Sequence, residues 1–412
     1  MIHTINVRYR MTSKEAYLLL TEYKERIKNN DKLKSAINFF NRKITLKQSI
    51  TPLTIETHQY GITYIKFYGH KLDNNIIYLS ITIDCMALIM NTITNNLFVP
   101  NYDSIMALCL AYAAAMSSIF PIINNDCEET PNLCKLPYLT YGKVIRIDYS
   151  LNLYTDNKEL TLILLGKSYT DSRKTAKKFN NNNLFALSSA KRPSSITKIY
   201  DKELYYNDNQ NCFDEKIIEA SKNILRYEYQ RNIIDKDWLK SNYNLSERFL
   251  SSIYVYSPIA FFNCSSIRNI LLKEYERCIG LGDWKNDYYY KDTIEKSTLS
   301  KHYKNVMLKN FAPLFSQKRS KQKALDEYIK NGGTQNTFDK YMSLYESLRL
   351  NPLRIPDRKA AFFKTNKVNN PINNIMVQSI NYNNFIIQYK VDSTLKAKII
   401  ADLDSVLELL GA

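Results

Sequence analysis

Lys143 to Leu153 reads KVIRIDYSLNL, and this stretch decides the fold. Ile145, Ile147, Tyr149, Leu151 and Leu153 recur at every second position, and Arg146, Asp148, Ser150 and Asn152 fill the places between. A period of two is that of a strand with one face toward a core and the other toward polar surroundings. Two further strands follow, SITKIYDKEL (Ser195 to Leu204) and NILRYEYQR (Asn223 to Arg231). Before them lie a helix-or-strand segment from Asp156 to Leu165 and a basic, Asn-rich loop from Gly166 to Asn183.

Upstream, the first ten residues read as a strand. Thr12 and Glu15 have the spacing of a capping box, which opens a helix through Ala16, Leu20, Tyr23 and Ile27. Gly61 to Tyr68 and Ile76 to Asp84 are strand-like. Ser104 to Ile123 runs without a charge, long enough to span a membrane. Its serines, alanines and Pro121, with no close basic flank, favour a helix buried in protein, so no stable membrane association is expected.

Both halves mix strands and helices in similar order, which reads as a duplicated α+β unit without a residue-level repeat. Beyond about Leu245 helical runs dominate: Ile267 to Ile279, Ser300 to Phe315, Lys321 to Lys330, Phe338 to Leu348 and Thr394 to Leu410. The expected fold class is α+β, antiparallel sheet with packed helices, as two fused ferredoxin-like halves followed by a helical module. The expected divisions are 1–140, 141–245 and 246–412.

The 412 residues carry 57 basic and 40 acidic side chains, a net charge of +17. That excess fits an anionic partner, nucleic acid or a membrane face, although AT-rich codon usage also raises lysine. Apolar residues make up 45%, enough to build a core. Nine glycines argue against a Gly-rich nucleotide scaffold. The seven cysteines show no CxxC pair, as in a reducing compartment, and the N-terminus lacks a signal-peptide core. A cytoplasmic protein is expected.

His3, His58, His70 and His302 are the only histidines, and none forms a local metal motif. GxSxG and Walker loops are absent too. What remains is carboxylates, tyrosines and basic residues on strands. Asp148 follows Arg146 by two and Glu228 follows Arg226 by two, so each pair shares a strand face. If the strands are neighbours, the two carboxylates suit a hard cation such as Mg2+ or Mn2+. The competing reading is an ion-pair ladder across a sheet.

In KIYDKEL, a regular strand puts Tyr200 between Lys198 and Lys202 on one face. Ammonium groups there would favour the phenolate and grip a phosphate. Glu203 would reach a metal only through a bulge or bend. Against this, the chain has 32 tyrosines, and most tyrosines pack. The basic residues Arg173, Lys174, Lys177, Lys178, Lys191, Arg192 and Lys198 lead into this strand and suit phosphate contacts, with a solvated loop as the alternative. A weaker basic cluster, Lys318, Arg319, Lys321 and Lys323, opens a later helix.

The ordered set RID, IYDKEL and LRYE, with a helical tail, resembles the filamentous-phage and plasmid replication initiators of the gene II/X family. It is also similar to plasmid rolling-circle initiators with a YDK…E…R-[FY]-E pattern. The resemblance covers roughly 140–245, and is looser upstream and in stretches such as FDKYMSLYESLRL (Phe338 to Leu350). It implies rolling-circle replication in a bacterial host cell: binding of double- and single-stranded origin DNA, nicking of one strand, a 5′-phosphotyrosine, a free 3′ hydroxyl, and later rejoining. It implies Tyr200 as nucleophile and Lys202 as its basic companion. Asp148, Glu203 and Glu228 become the metal positions, and a host helicase and polymerase become partners. Arg146 and Arg226 join the loop residues as DNA contacts.

This chain departs from the pattern before the YDK strand, where it reads NLFALSSAKRPS. A nucleophile there would fall on Phe185, which cannot react; Tyr205 and Tyr206 are further alternatives to Tyr200. Three other functions stay open: a non-catalytic DNA-binding regulator or packaging factor, a hydrolytic nuclease using Asp148 and Glu228, and a membrane-surface protein.

Overall fold

A computed structural model describes the chain except residues 58, 71, 74, 125–129, 170–173, 179–183, 189–192, 209–214, 319, 377–379, 389, 390 and 412. For 174–178, 184–188, 376, 383, 387 and 388 it describes the backbone alone. The fold is α+β. Contacts gather it into two compact units: 1–149 with 231–268 and 378–412, and 150–230 with 269–377. These units do not follow the expected consecutive divisions, because segments late in the chain return to the first unit.

The first unit begins with strand β1 (Ile2–Thr12), helices α1 (Ser13–Arg26) and α2 (Asp31–Thr45), and strands β2 (Leu53–Glu56), β3 (Ile62–Gly69) and β4 (Ile76–Asp84). Helices α3 (Cys85–Met90) and α4 (Tyr102–Ile119) lead to strand β5 (Lys143–Tyr154). The expected capping box opens α1: Thr12 accepts from the Glu15 N–H, and the Glu15 carboxylate accepts from the Thr12 N–H at 2.7 Å. Such a cap is worth about 1 kcal/mol. Glu15 also takes the Asn132 N–H at 2.8 Å, so one carboxylate ties the helix start to a distant loop.

The strands lie in the order β2-β3-β4-β1-β5, and neighbours in this run are antiparallel. The run β5-β1-β4-β3 is the arrangement of a ferredoxin-like split βαβ unit, with β2 added at the edge. Val7 pairs Ile81 and Ile65 pairs Ile81, which lines isoleucines and valine along one face. That face is fully buried. Helix α4 is long and apolar enough to cross a membrane by length and composition, yet most of it is buried inside the protein. Helix Ser393–Leu410 packs here too, with Tyr102 donating to Asp404 at 3.0 Å and Thr140 bonding Asp402.

The second unit takes the end of β5 and continues through helix α5 (Lys158–Ser168), strands β6 (Lys174–Lys178), β7 (Leu184–Ser188) and β8 (Ser195–Asp201), helices α6 (Lys202–Asn207) and α7 (Glu215–Ala220), and strand β9 (Ile224–Arg231). The Asp156 to Leu165 segment is thus helical. The element order repeats that of the first unit, as duplication would have it, but the strand order is β5-β9-β8-β7-β6. A second ferredoxin-like half would set β5 between β9 and β8. Here its other edge from Ser150 onward is taken by a short late strand, with Ile375 opposite Leu153 and Met376 opposite Asn152. Most of the remaining chain is helical, as expected. Gly332, at φ +86°, makes the turn between the helices Lys321–Lys330 and Gln335–Ser347.

Strand β5 differs from its pattern in one respect. From Ile147 to Leu153 both faces are buried, including Asp148, Ser150 and Asn152. The alternation is real, but its polar face has protein on it rather than water.

Candidate active site

Within the second unit, β8 and β9 are neighbours. Lys198 and Tyr200 on β8 and Glu228 on β9 meet. The Tyr200 hydroxyl donates to Glu228 Oε1 at 2.8 Å, and Lys198 Nζ lies 3.5 Å from Oε2. Glu228 is almost fully buried, while Tyr200 and Lys198 keep partial exposure. The strands hold this face rigidly because the opposite one is core: Ile199, Leu225 and Tyr227 are buried, and the Tyr227 ring sits 5.3 Å edge-on from Tyr275.

The electrostatics correct one expectation. Flanking ammonium groups were expected to favour the Tyr200 phenolate. Instead its pKa is pushed well above the usual tyrosine value, first by burial and then by the negative charge of Glu228, with Arg226 opposing only in part. The proton therefore rests on the phenol, facing a buried carboxylate acceptor. A hydroxyl hydrogen-bonded to a carboxylate is an arrangement that can serve as nucleophile and base, and equally one that can simply hold two strands together.

The chain past Tyr200 corrects a second expectation. The strand stops at Asp201, whose carboxylate accepts from the Leu204 N–H at 3.2 Å and so caps α6. Lys202 is therefore the first helical residue, not the next residue of a strand face. It is buried, with Nζ 4.4 Å from the Tyr206 ring centre, 5.0 Å from that of Tyr205 and 5.9 Å from that of Tyr200. The three tyrosines form a π-lined holder for one ammonium. Their rings also touch in sequence, Tyr200 to Tyr205 at 5.8 Å and Tyr205 to Tyr206 at 5.6 Å. Sequence reasoning named Tyr205 and Tyr206 only as rival nucleophiles; the helix start three residues earlier is what turns them toward Lys202.

Glu203 points elsewhere. It and Asp201 are both held by Lys158 at the start of α5, Asp201 at 3.0 Å. Burial alone would lower the Lys158 pKa, but the hydrogen bonds it donates to Glu203 and Asp201 raise it. Sequence analysis missed Lys158. Its one signal was its place just after Asn157, which caps α5 by accepting from Leu160.

In the first unit, Arg146 grips Asp148 through both nitrogens that face it, Nε at 2.9 Å from Oδ1 and a second nitrogen on Oδ2. The spacing argument for this pair is met, as an ion pair on one strand face. Arg226 is a correction: it is fully buried, with Nε donating to Asn152 at 2.7 Å, and so does not offer a surface to DNA. Arg173, Lys191 and Arg192 lie outside the described residues, and of Lys174, Lys177 and Lys178 only the backbone on β6 is described.

The three carboxylates assigned to Mg2+ or Mn2+ are each engaged otherwise: Asp148 by Arg146, Glu203 by Lys158, Glu228 by Tyr200 and Lys198. Among the described residues no group of three or more His, Cys, Asp or Glu side chains is placed to hold a metal ion. To coordinate a divalent cation, each of these carboxylates would have to leave the cation or phenol that now holds it. Comparisons with family models, with curated proteins and with solved structures find no match to this chain.

Proposed function

We propose that the protein nicks and rejoins one strand of DNA through Tyr200, as the resemblance to gene II/X initiators implies. The observation that carries the reading is the 2.8 Å hydrogen bond from the Tyr200 hydroxyl to Glu228. In the proposed step the Tyr200 oxygen attacks a backbone phosphorus and its proton passes to Glu228 Oε1. The bond between phosphorus and the 3′ oxygen breaks, and that oxygen leaves with a proton from solvent. The product is a 5′-phosphotyrosine and a 3′ hydroxyl, and attack by a 3′ hydroxyl reverses the step. The ammonium of Lys198 lies at the same carboxylate, where it offers charge to a phosphate. Lys202 would steady the Tyr200 ring from the helix start.

The test uses supercoiled DNA carrying the replicon's own intergenic region, with magnesium or manganese, and wild type beside Tyr200→Phe. A nick whose 5′ end stays on protein until protease digestion, and which disappears in the variant, supports the reading. A nick without adduct is the outcome of a hydrolytic nuclease.

One observation favours a second reading. The raised pKa of Tyr200 is also what a purely structural Tyr–Glu pair has. In that case the protein binds DNA as a regulator, and the same experiment gives binding without a nick.

A further inference from the structure

The first unit presents a second feature that the Tyr200 chemistry leaves unused. Its sheet has one buried apolar face, and register places a different set of side chains on the other. Arg8 pairs Ser80, and Ser80 pairs Lys66; Arg10 pairs Tyr78, and Tyr78 pairs Tyr68; Arg8 also pairs Lys143. In antiparallel sheet, paired residues share a face. Tyr64, two residues before Lys66, lies on that face as well.

Apart from Ser80, which is buried, these side chains meet solvent. Arg10, Tyr64, Lys66 and Lys143 are exposed, and Arg8, Tyr68 and Tyr78 are partly so. The Arg8 guanidinium carbon stands 4.5 Å from the Tyr78 ring centre, and the Tyr68 and Tyr78 rings are 5.5 Å apart. Tyr64 is 46% exposed, a large ring left in water at the middle of a sheet. Basic groups outnumber acidic ones on this face. The acidic groups on this face are Glu56 at the β2 edge, Asp84, which caps α3, and Asp148, which Arg146 holds. The Lys143 pKa is lowered, first by partial burial and then by the nearby charge of Arg8, which marks a basic cluster whose members repel.

We propose that this open face binds single-stranded nucleic acid, with bases stacked on Tyr64, Tyr68 and Tyr78 and phosphates held by Arg8, Arg10, Lys66 and Lys143. Rings interleaved with cations on a sheet face are what unpaired bases on a charged backbone require. A duplex hides its base faces, so it reaches only the cations. The site is separate from Tyr200, and it can bind a strand whether or not Tyr200 cuts one.

The experiment measures fluorescence anisotropy of the full chain carrying Tyr200→Phe, with a labelled dT oligonucleotide that lacks any origin sequence. The same-length duplex, an abasic strand and a uridine RNA are compared. The dT strand is expected to bind more tightly than the abasic strand and the duplex. Tyr64→Ala with Tyr68→Ala should weaken dT binding about tenfold or more with little change in salt dependence. Arg10→Gln with Lys66→Gln should lower the salt slope by about 1.4, or about 0.7 for each phosphate left without its cation. Unchanged melting temperature shows that the variants fold; Tyr64→Leu, milder at an exposed site, serves if the double alanine variant does not. Equal dT and RNA affinity supports recognition by stacking and phosphate alone, and a preference for either assigns the strand. Equal affinity for abasic and dT strands, or no loss in the tyrosine variants, overturns the proposal. Tighter binding of the duplex overturns it too. Because Tyr200 is already removed, none of these results depends on nicking.

Discussion

Lys158 Nζ lies 3.0 Å from Asp201, the residue at which β8 ends and α6 begins. The same ammonium holds Glu203 two residues further on. One cation thus fixes the junction that directs Lys202 and its tyrosines. The junction is mostly shielded, with Lys158 and Asp201 side chains 17% and 14% exposed.

Lys158→Met should therefore destabilise the protein by about 1–3 kcal/mol, because two acidic groups lose their counter-charge while remaining partly buried. Thermal unfolding measures it. Adding Asp201→Asn should recover part of the loss. Strictly additive effects would mean that the ion pair does not hold the junction.

Glu228→Gln keeps the volume of the side chain and removes the base. On the proposed chemistry the rate of adduct formation should fall about 10²–10⁴-fold, while binding of the same DNA persists. Single-turnover nicking beside a binding titration separates the two. A variant that nicks at the wild-type rate would remove Glu228 from the reaction.

The buried tyrosines make stability depend on alkaline pH. Tyr227, Tyr275 and Tyr290 all have pKa values raised, chiefly by burial. Their unfolded value is about 10. A raised folded pKa means the stabilisation is complete below that value and is lost as pH climbs past it, since only the unfolded chain can then release these protons. Stability should fall steadily above about pH 10. Absorbance of phenolate against pH should show a group of tyrosines that ionise only together with unfolding; smooth titration of all of them in folded protein contradicts the burial argument.

Gly61 turns the chain into β3 at φ +81°, and its missing Cβ leaves room for the backbone of Leu88, which an added carbon would meet at 2.2 Å. Its carbonyl accepts from Asp84 N–H at 2.7 Å, so the turn cannot simply move away. Gly61→Ala should cost at least about 2 kcal/mol from strain and clash together. Melting temperature is the readout, and Gly332→Ala is the control: it has the same strained φ but nothing within 4 Å of the added carbon.

Much of this fold is legible in the chain. The strands at the N-terminus, at Ile76 to Asp84, at Lys143 to Leu153 and at Asn223 to Arg231 follow from period-two alternation, a property of neighbouring residues. The Thr12–Glu15 cap is likewise local, as is the Arg146–Asp148 pair, since both partners sit within three residues. Where expectation and structure part, the deciding contact comes from far along the chain. Asp201 ends a strand and caps a helix with Lys158, 43 residues earlier, bracing it. The phenol of Tyr200 holds its proton because Glu228, 28 residues later, and the surrounding burial outweigh the nearby cations. Strand order in the second unit turns on a short segment near Ile375 that pairs with β5. Spacing determined which residues share a face of one element; only the tertiary structure decided what each face meets, and so where charge is desolvated and where a proton stays.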